Sequence, residues 1–293
     1  MLLTLDALLT RYEQDFLPLK APQTQLQQRT VFKTIRADLG TLLLSDLTPA
    51  RLRDWRNTLL ARYPTGTARR YLYLLSGPLT AAVKEYEVLA ENPLRKVRFP
   101  SPGPGRMRIL TAPERHQLLL TCQESRNPAL YLLVLLALTT GARRNELRYL
   151  RWRDIDLERG ILTFPQTKNG TPRRVPVVAQ ALTVLRGWRL RDRAPDAWVF
   201  PRRDLGGPVH IAIAFRGAVR RAGLANFRFH DLRHCAASYL AMSGASLLEI
   251  AEILGHKSLA MVKRYAHLTE THVRSVVERM AETFLTDPSE PSA

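Results

Sequence analysis

The chain has 293 residues and is 45% hydrophobic, enough for two domains with their own cores, which excludes a disordered or fibrous protein. Lys and Arg number 44 against 26 Asp and Glu, a formal charge of +18. That excess points to a polyanionic partner, nucleic acid before an anionic membrane, although an arginine-rich genome with a solvated surface explains part of it. Only two cysteines are present, Cys122 and Cys235, without metal-ligand spacing. They exclude a disulfide scaffold and favour a reducing cytosol. No leader pattern opens the chain, and the longest apolar run, Ala129 to Leu138, is too short to span a bilayer. A cytoplasmic protein without membrane attachment is expected.

Taken in order, residues 3–16 carry Leu5, Leu8, Leu9, Tyr12 and Phe16 at helical spacing, and Pro18 and Pro22 end that helix. A second helix is predicted over Thr24–Leu39. Thr48 and Pro49 read as N-cap and first position of a third, with Leu52, Trp55, Leu59 and Leu60 inward and Arg51, Arg53, Arg56 and Arg62 outward. Thr65-Gly66-Thr67 is read as a break. A fourth helix, Ala68 to about Glu87, starts with Arg69 and Arg70 and stops at Ala90-Glu91-Asn92-Pro93. Residues 1–98 thus form a small all-helical domain with a basic face. The Pro/Gly-rich stretch 99–106 is a linker.

Residues 107–285 form the second domain. Thr111 and Glu114 make a capping box ahead of a helix, and Ala129–Thr139 is apolar nearly all round, a buried helix. Strand character follows at Trp152–Asp156, Ile161–Phe164 and Arg174–Val178, the last two joined through Asn169-Gly170, a strong hairpin signal. Helices return at Ala181–Arg191, Ile211–Ala222, His230–Ser243, Ser246–Leu254 and Ser258–Leu268. Val273, Val276, Val277, Met280 and Phe284 give one more apolar stripe over 271–284, and 286–293 are a polar tail.

Several residue types suited to phosphate recur in this domain. Arg143 follows Gly141 where a buried helix ends, so it is either aimed into a cleft or a surface charge. Glu146, three residues on, can orient that guanidinium or form an ordinary surface pair. His230 and Arg233, at i and i+3, share a helical face and offer an imidazole beside a bidentate clamp. His234 is read as structural. Lys168, at the hairpin, is an edge-strand lysine or a mobile cation. His256 follows Gly255 and alone would be a structural histidine. Tyr265 lies between Arg264 and His267; alone it would be a packing residue with a polar tip. Nine positions separate His256 from Tyr265, about 900° of helix, so a straight helix cannot aim both at one point. A break between them, or a tyrosine segment that moves on DNA, is expected.

As a set, Thr140-Gly141-Ala142-Arg143-Arg144-Asn145-Glu146-Leu147, Thr167-Lys168-Asn169-Gly170 with Arg174-Val175-Pro176, His230-Asp231-Leu232-Arg233-His234, and Leu254-Gly255-His256 with Arg264-Tyr265-Ala266-His267 resemble the tyrosine recombinase (phage integrase) family. The resemblance covers nearly the whole chain and implies a mainly α fold. It implies a small antiparallel sheet in the C-terminal catalytic domain and a SAM-like, all-helical core-binding domain at the N-terminus, the two clamping DNA. It further implies site-specific strand exchange through a 3′-phosphotyrosine and a Holliday junction. Tyr265 would be the nucleophile. Arg143 and Arg233 would clamp the phosphate, Lys168 would protonate the 5′ oxygen, His230 would exchange a proton with the tyrosine, and His256 would hydrogen-bond the phosphate. Gly141 and Glu146 would support them, and Arg51, Arg53, Arg69, Arg70 and Arg264 would bind DNA. The implied partners are double-stranded DNA with a core site, a homotetramer assembled through the C-terminal helix, and in some members accessory DNA-bending proteins. No metal, nucleotide or other cofactor is implied. A type IB topoisomerase and a non-catalytic DNA-binding protein of the same fold are the alternatives.

Overall fold

The computed structural model describes residues 3–103, 107–165, 172–188, 194–204, 206–256, 258–268 and 270–284. It divides into two compact units, Met1–Arg106 and Met107–Ala293.

The first unit is helical. α1 (Leu5–Phe16) is capped by Thr4, whose hydroxyl accepts from the Ala7 N–H. α2 (Pro22–Leu39) opens on Pro22, which therefore starts this helix and does not end the one before. The missing N–H of a proline costs nothing at a first helical position. α3 (Pro49–Arg62) has Thr48 as its cap, as its sequence predicts. Leu60 is exposed, one position off the face that buries Leu52, Trp55 and Leu59. α4 (Thr65–Lys84) begins at Thr65, so Thr65-Gly66-Thr67 is its first turn and not a break. A 3₁₀ turn, Pro93–Lys96, follows buried Asn92, whose side chain caps it; that stretch starts an element where a stop was expected. Apolar faces of all four helices form one core around Leu8, Phe32, Leu52 and Leu72.

The second unit starts with α5 (Ala112–Gln123), which has the Thr111–Glu114 capping box. α6 (Ala129–Thr140) is buried along almost its whole length and runs through the core against α5. α7 (Arg144–Arg148) follows, then a 3₁₀ turn, Trp152–Asp154, where a longer strand was expected. The sheet has three antiparallel strands in the order β1 (Ile155–Asp156), β2 (Ile161–Phe164) and β3 (Arg173–Pro176), with Leu162 opposite Val175 and Phe164 opposite Arg173. Helices α8 (Ala179–Trp188), α9 (Ala212–Arg221), α10 (Asp231–Met242) and α11 (Leu247–Leu254) complete the core. α11 carries the Ser246–Glu249 capping box and ends at Gly255, whose φ of 68° is left-handed.

The expected helix over Ser258–Leu268 is two 3₁₀ turns, Leu259–Met261 and Lys263–Leu268. α12 (Glu270–Phe284) closes the described chain and leaves Val276, Val277, Met280 and Phe284 exposed; the Val273 side chain lies outside the described residues. The mainly helical fold with a small antiparallel sheet is the one its sequence implies. No described helix is long and apolar enough to cross a membrane.

Candidate active site

Four segments of the second unit meet around one group of charges: the α6–α7 turn, β3, the start of α10 and the chain after α11. The turn is built by Gly141, which ends α6 with φ 61°. A Cβ there would lie 3.0 Å from Leu254 Cγ and 3.6 Å from Ala236 Cβ, so both backbone and space require glycine. Arg143 follows in extended conformation and caps α7. Its backbone N–H donates to Glu146 Oε2 at 2.8 Å, and its Nη1 donates to Oε1 at 2.7 Å. Glu146 thus orients Arg143, and does so from a buried position, its side chain only 6% exposed.

Glu146 serves a second arginine that sequence reasoning passed over. Arg173 Nη1 donates to Glu146 Oε2 at 3.0 Å, and the Arg173 guanidinium lies 4.4 Å from the centre of the Phe164 ring. The predicted strand began at Arg174, one residue late. The signal was the period of two that puts Arg173 on the buried face with Val175. Burial pushes the Glu146 carboxyl up, but the Arg173 charge and the Arg143 hydrogen bonds outweigh it and hold the carboxyl below its ordinary range. Gly255 packs flat on Arg173; a Cβ there would come within 3.0 Å of Arg173 Cδ.

Arg233 is buried on α10, and its Nη1 donates to the Gly141 carbonyl at 2.8 Å. Among the described residues its Nη2 has no hydrogen-bond partner, nor do Arg173 Nε and Nη2 or His256 Nδ1. Burial, with Arg143 and Arg173 nearby, pushes Arg233 down to about 9. Burial and then Arg233, Arg143 and Arg173 push His256 down to about 4, and burial and Arg233 lower His230. Three arginines therefore share one carboxylate in a partly desolvated space. Buried donors with no acceptor are costly. An oxyanion bound among them would satisfy the donors and relieve the repulsion together, which is what a phosphate clamp requires.

Tyr265 is 1% exposed, packed with Ala237, Leu254 and Val262. Its Oη lies 2.6 Å from His234 Nδ1, so the histidine read as structural is in hydrogen-bond contact with the candidate nucleophile. The His-x-x-Arg spacing draws attention to His230, while His234 on the next turn of α10 faces the tyrosine segment. Burial raises the Tyr265 phenol, opposed by Arg264 and Arg233. Extended Ser258 and the two 3₁₀ turns that follow it supply the break expected between His256 and Tyr265. Lys168 lies outside the described residues.

A cleft of about 850 Å³ opens at Arg143, Glu146 and His230, walled by Arg144, Arg151 and Trp198. Arg264 is half-buried next to Tyr265. In the first unit Arg51 and Arg53 are exposed, Arg69 Nη1 donates to the Pro100 carbonyl at 2.7 Å, and Arg70 Nη2 to Gln27 at 3.0 Å. Among the described residues no three His, Cys, Asp or Glu side chains are grouped to hold a metal ion.

The chain belongs to the phage integrase family, whose model matches residues 108–272. It is 33% identical over 258 residues to the shufflon-specific DNA recombinase of Escherichia coli, covering 85% of this chain and 65% of that protein. Other curated relatives are spanned over only 44% to 58% of their length. The fold matches the Tn1549 transposon integrase in complex with circular intermediate DNA, with a TM-score of 0.78 at 19% identity over 95% of this chain and 100% of that one. It also matches a lambda integrase tetramer bound to a Holliday junction, with a TM-score of 0.73 at 23% identity over 87% and 78% of the two chains.

Proposed function

We propose that this chain is a site-specific DNA recombinase that cuts and rejoins strands through a covalent 3′-phosphotyrosine at Tyr265. The observation that carries the reading is the buried set of unpaired donors on Arg233 and His256, beside Arg143 and in electrostatic contact with Tyr265.

Breaking a phosphodiester without metal takes a nucleophile, charge stabilisation and a general acid. Tyr265 Oη attacks phosphorus, and the bond to the 5′ oxygen breaks as that oxygen receives a proton from Lys168. Arg143 and Arg233 clamp the non-bridging oxygens, and His256 donates a hydrogen bond to one of them. Glu146 holds Arg143 in place, and Arg173 keeps Glu146 charged. His230, at the cleft and lowered toward the neutral form, is suited to proton exchange. The phosphotyrosine conserves the bond energy, so a 5′-hydroxyl from another strand reseals it. Exposed Arg51, Arg53 and Arg70 grip phosphates with Arg264. The apolar stripe of α12 docks on a neighbouring subunit to form a homotetramer on two duplexes in the cytoplasm, where exchange passes through a Holliday junction.

The test is a nicked duplex selected by binding to the protein from a randomised pool. The unmodified chain is expected to trap a covalent adduct on it and Tyr265→Phe none. An adduct with Tyr265→Phe would remove Tyr265 as nucleophile. No adduct with the unmodified chain would leave only DNA binding.

A further inference from the structure

The reaction needs somewhere for the phenol proton to go. Its ordinary pKa of about 10 leaves almost no phenolate at neutral pH, and burial raises it further. Among the described residues His234 Nδ1 is the side-chain atom hydrogen-bonded to Tyr265 Oη. His230 does not hold that position; its ring stands edge-on to the His234 ring, 5.3 Å away.

We propose, on the basis of the recombinase reading above, that His234 is a catalytic residue: its Nδ1 accepts the Tyr265 proton as Oη bonds to phosphorus. In that step the Oη–H bond breaks and Nδ1–H forms, while Oη–P forms and P–O5′ breaks. The leaving oxygen takes its proton from the general acid, so the phenol proton stays in the protein on His234 while one proton passes from the general acid to the DNA. His234 then carries its resting proton on Nε2, which makes Nδ1 the acceptor.

The groups facing His234 explain why the transfer waits for DNA. His230, Asp231 and Arg233 on α10, Arg264 and Tyr265 on the 3₁₀ segment, and His256 after α11 surround it. Burial, His230 and Arg264 push it down to about 4, so it is neutral and vacant at physiological pH. Burial and the Arg264 and Arg233 charges oppose protonation until an anion sits among the arginines. A bound phosphodiester offsets that charge and raises the basicity of His234 only when there is something to attack. The free protein thereby keeps its tyrosine as an unreactive phenol.

The experiment is single-turnover adduct formation on the selected nicked duplex across pH. General-base catalysis is worth roughly 10²–10⁴ in rate. His234→Ala and His234→Gln should both lose that factor with duplex affinity unchanged, and added imidazole should restore part of the rate to His234→Ala. Their residual rates should rise about tenfold per pH unit, as phenol ionisation passes to solvent, while the unmodified protein stays level between about pH 6 and 8. Should His234→Ala fail to fold, His234→Gln, of similar bulk, carries the test. A duplex with sulfur at the 5′ bridging position, which leaves without needing a proton, should not rescue either variant. Rescue by that duplex, a near-normal rate with Gln, or normal or faster rates in both variants would overturn the proposal while the recombinase reading stands. No adduct from the unmodified chain would overturn both.

Discussion

Replacing Glu146 by glutamine keeps the shape of the side chain and removes its charge. Arg173 is the residue that suffers: both it and Glu146 are 6% exposed, and they meet at 3.0 Å. Breaking one side of a buried pair costs about 3–5 kcal/mol, because the other charge stays buried without compensation. An amide oxygen still accepts one hydrogen bond, so the low end, ~3 kcal/mol, is expected. For a domain of about 150–250 residues that corresponds to a drop in Tm of roughly 6–12 °C. Differential scanning calorimetry at pH 7 measures it. The double variant Glu146→Gln/Arg173→Met, which removes the stranded charge, should recover part of the loss. pH supplies a second check with a definite sign. The Glu146 carboxyl is lowered on folding, so its contribution is present above its ordinary value of 4.5 and is lost as pH falls through the folded value. The gap between variant and parent should therefore close in acid. A Tm change below about 2 °C at pH 7, or a gap that widens in acid, would refute the account of Glu146 as the counter-charge of this cluster.

Arg233→Met should abolish the covalent adduct yet raise thermal stability by ~1–4 kcal/mol, since it removes a buried charge repelled by Arg143 and Arg173; a lower Tm would contradict the electrostatic picture. Gly141→Ala forces a side chain into left-handed backbone and against Leu254, costing about 1–3 kcal/mol, readable by urea denaturation, and an unchanged midpoint would deny the strain. Both cysteines are buried, and desolvation pushes the Cys122 thiol up to about 12. Ellman's reagent should therefore find two thiols only after unfolding, and fast reaction of either in the native protein would show that the packing is looser than described.

Most of the residues that the structure brings together in the candidate site were legible because each stands beside a local signal: Gly141 before Arg143, the i and i+3 pair of His230 and Arg233, Gly255 before His256. Their partnerships were legible only where sequence separation is short, as between Arg143 and Glu146. Arg173 and His234 were missed for one shared reason. Each matters through a contact with a residue distant in the chain, Glu146 in one case and Tyr265 in the other. No local pattern reports such contacts; the period of two at Arg173 reports its burial and not its partner. The same holds for the fold. Caps at Thr48, Thr111 and Ser246 located helix starts, because the capping hydrogen bond is local. Helix stops and the 3₁₀ form of Leu259–Leu268 depend on what the segment packs against, and there the expected helix was wrong.

That last segment differs in kind from the elements that hold the rest of the site. Arg233 stands on a helix, Arg173 on a paired strand, and Arg143 on a capped turn. Tyr265 stands on 3₁₀ turns, whose hydrogen bonds are fewer and poorer in geometry than those of an α-helix. Its anchorage comes from the side chain, through Val262, Leu254 and the His234 ring, and little from the backbone. Amide hydrogens of Leu259–Leu268 should therefore exchange with solvent well before those of α6 or α10. A backbone so lightly held can be reshaped by DNA or by a neighbouring subunit while the arginine cluster keeps its geometry. In the proposed reaction, control over when the candidate nucleophile is presented is then separate, in structural terms, from the chemistry that awaits it.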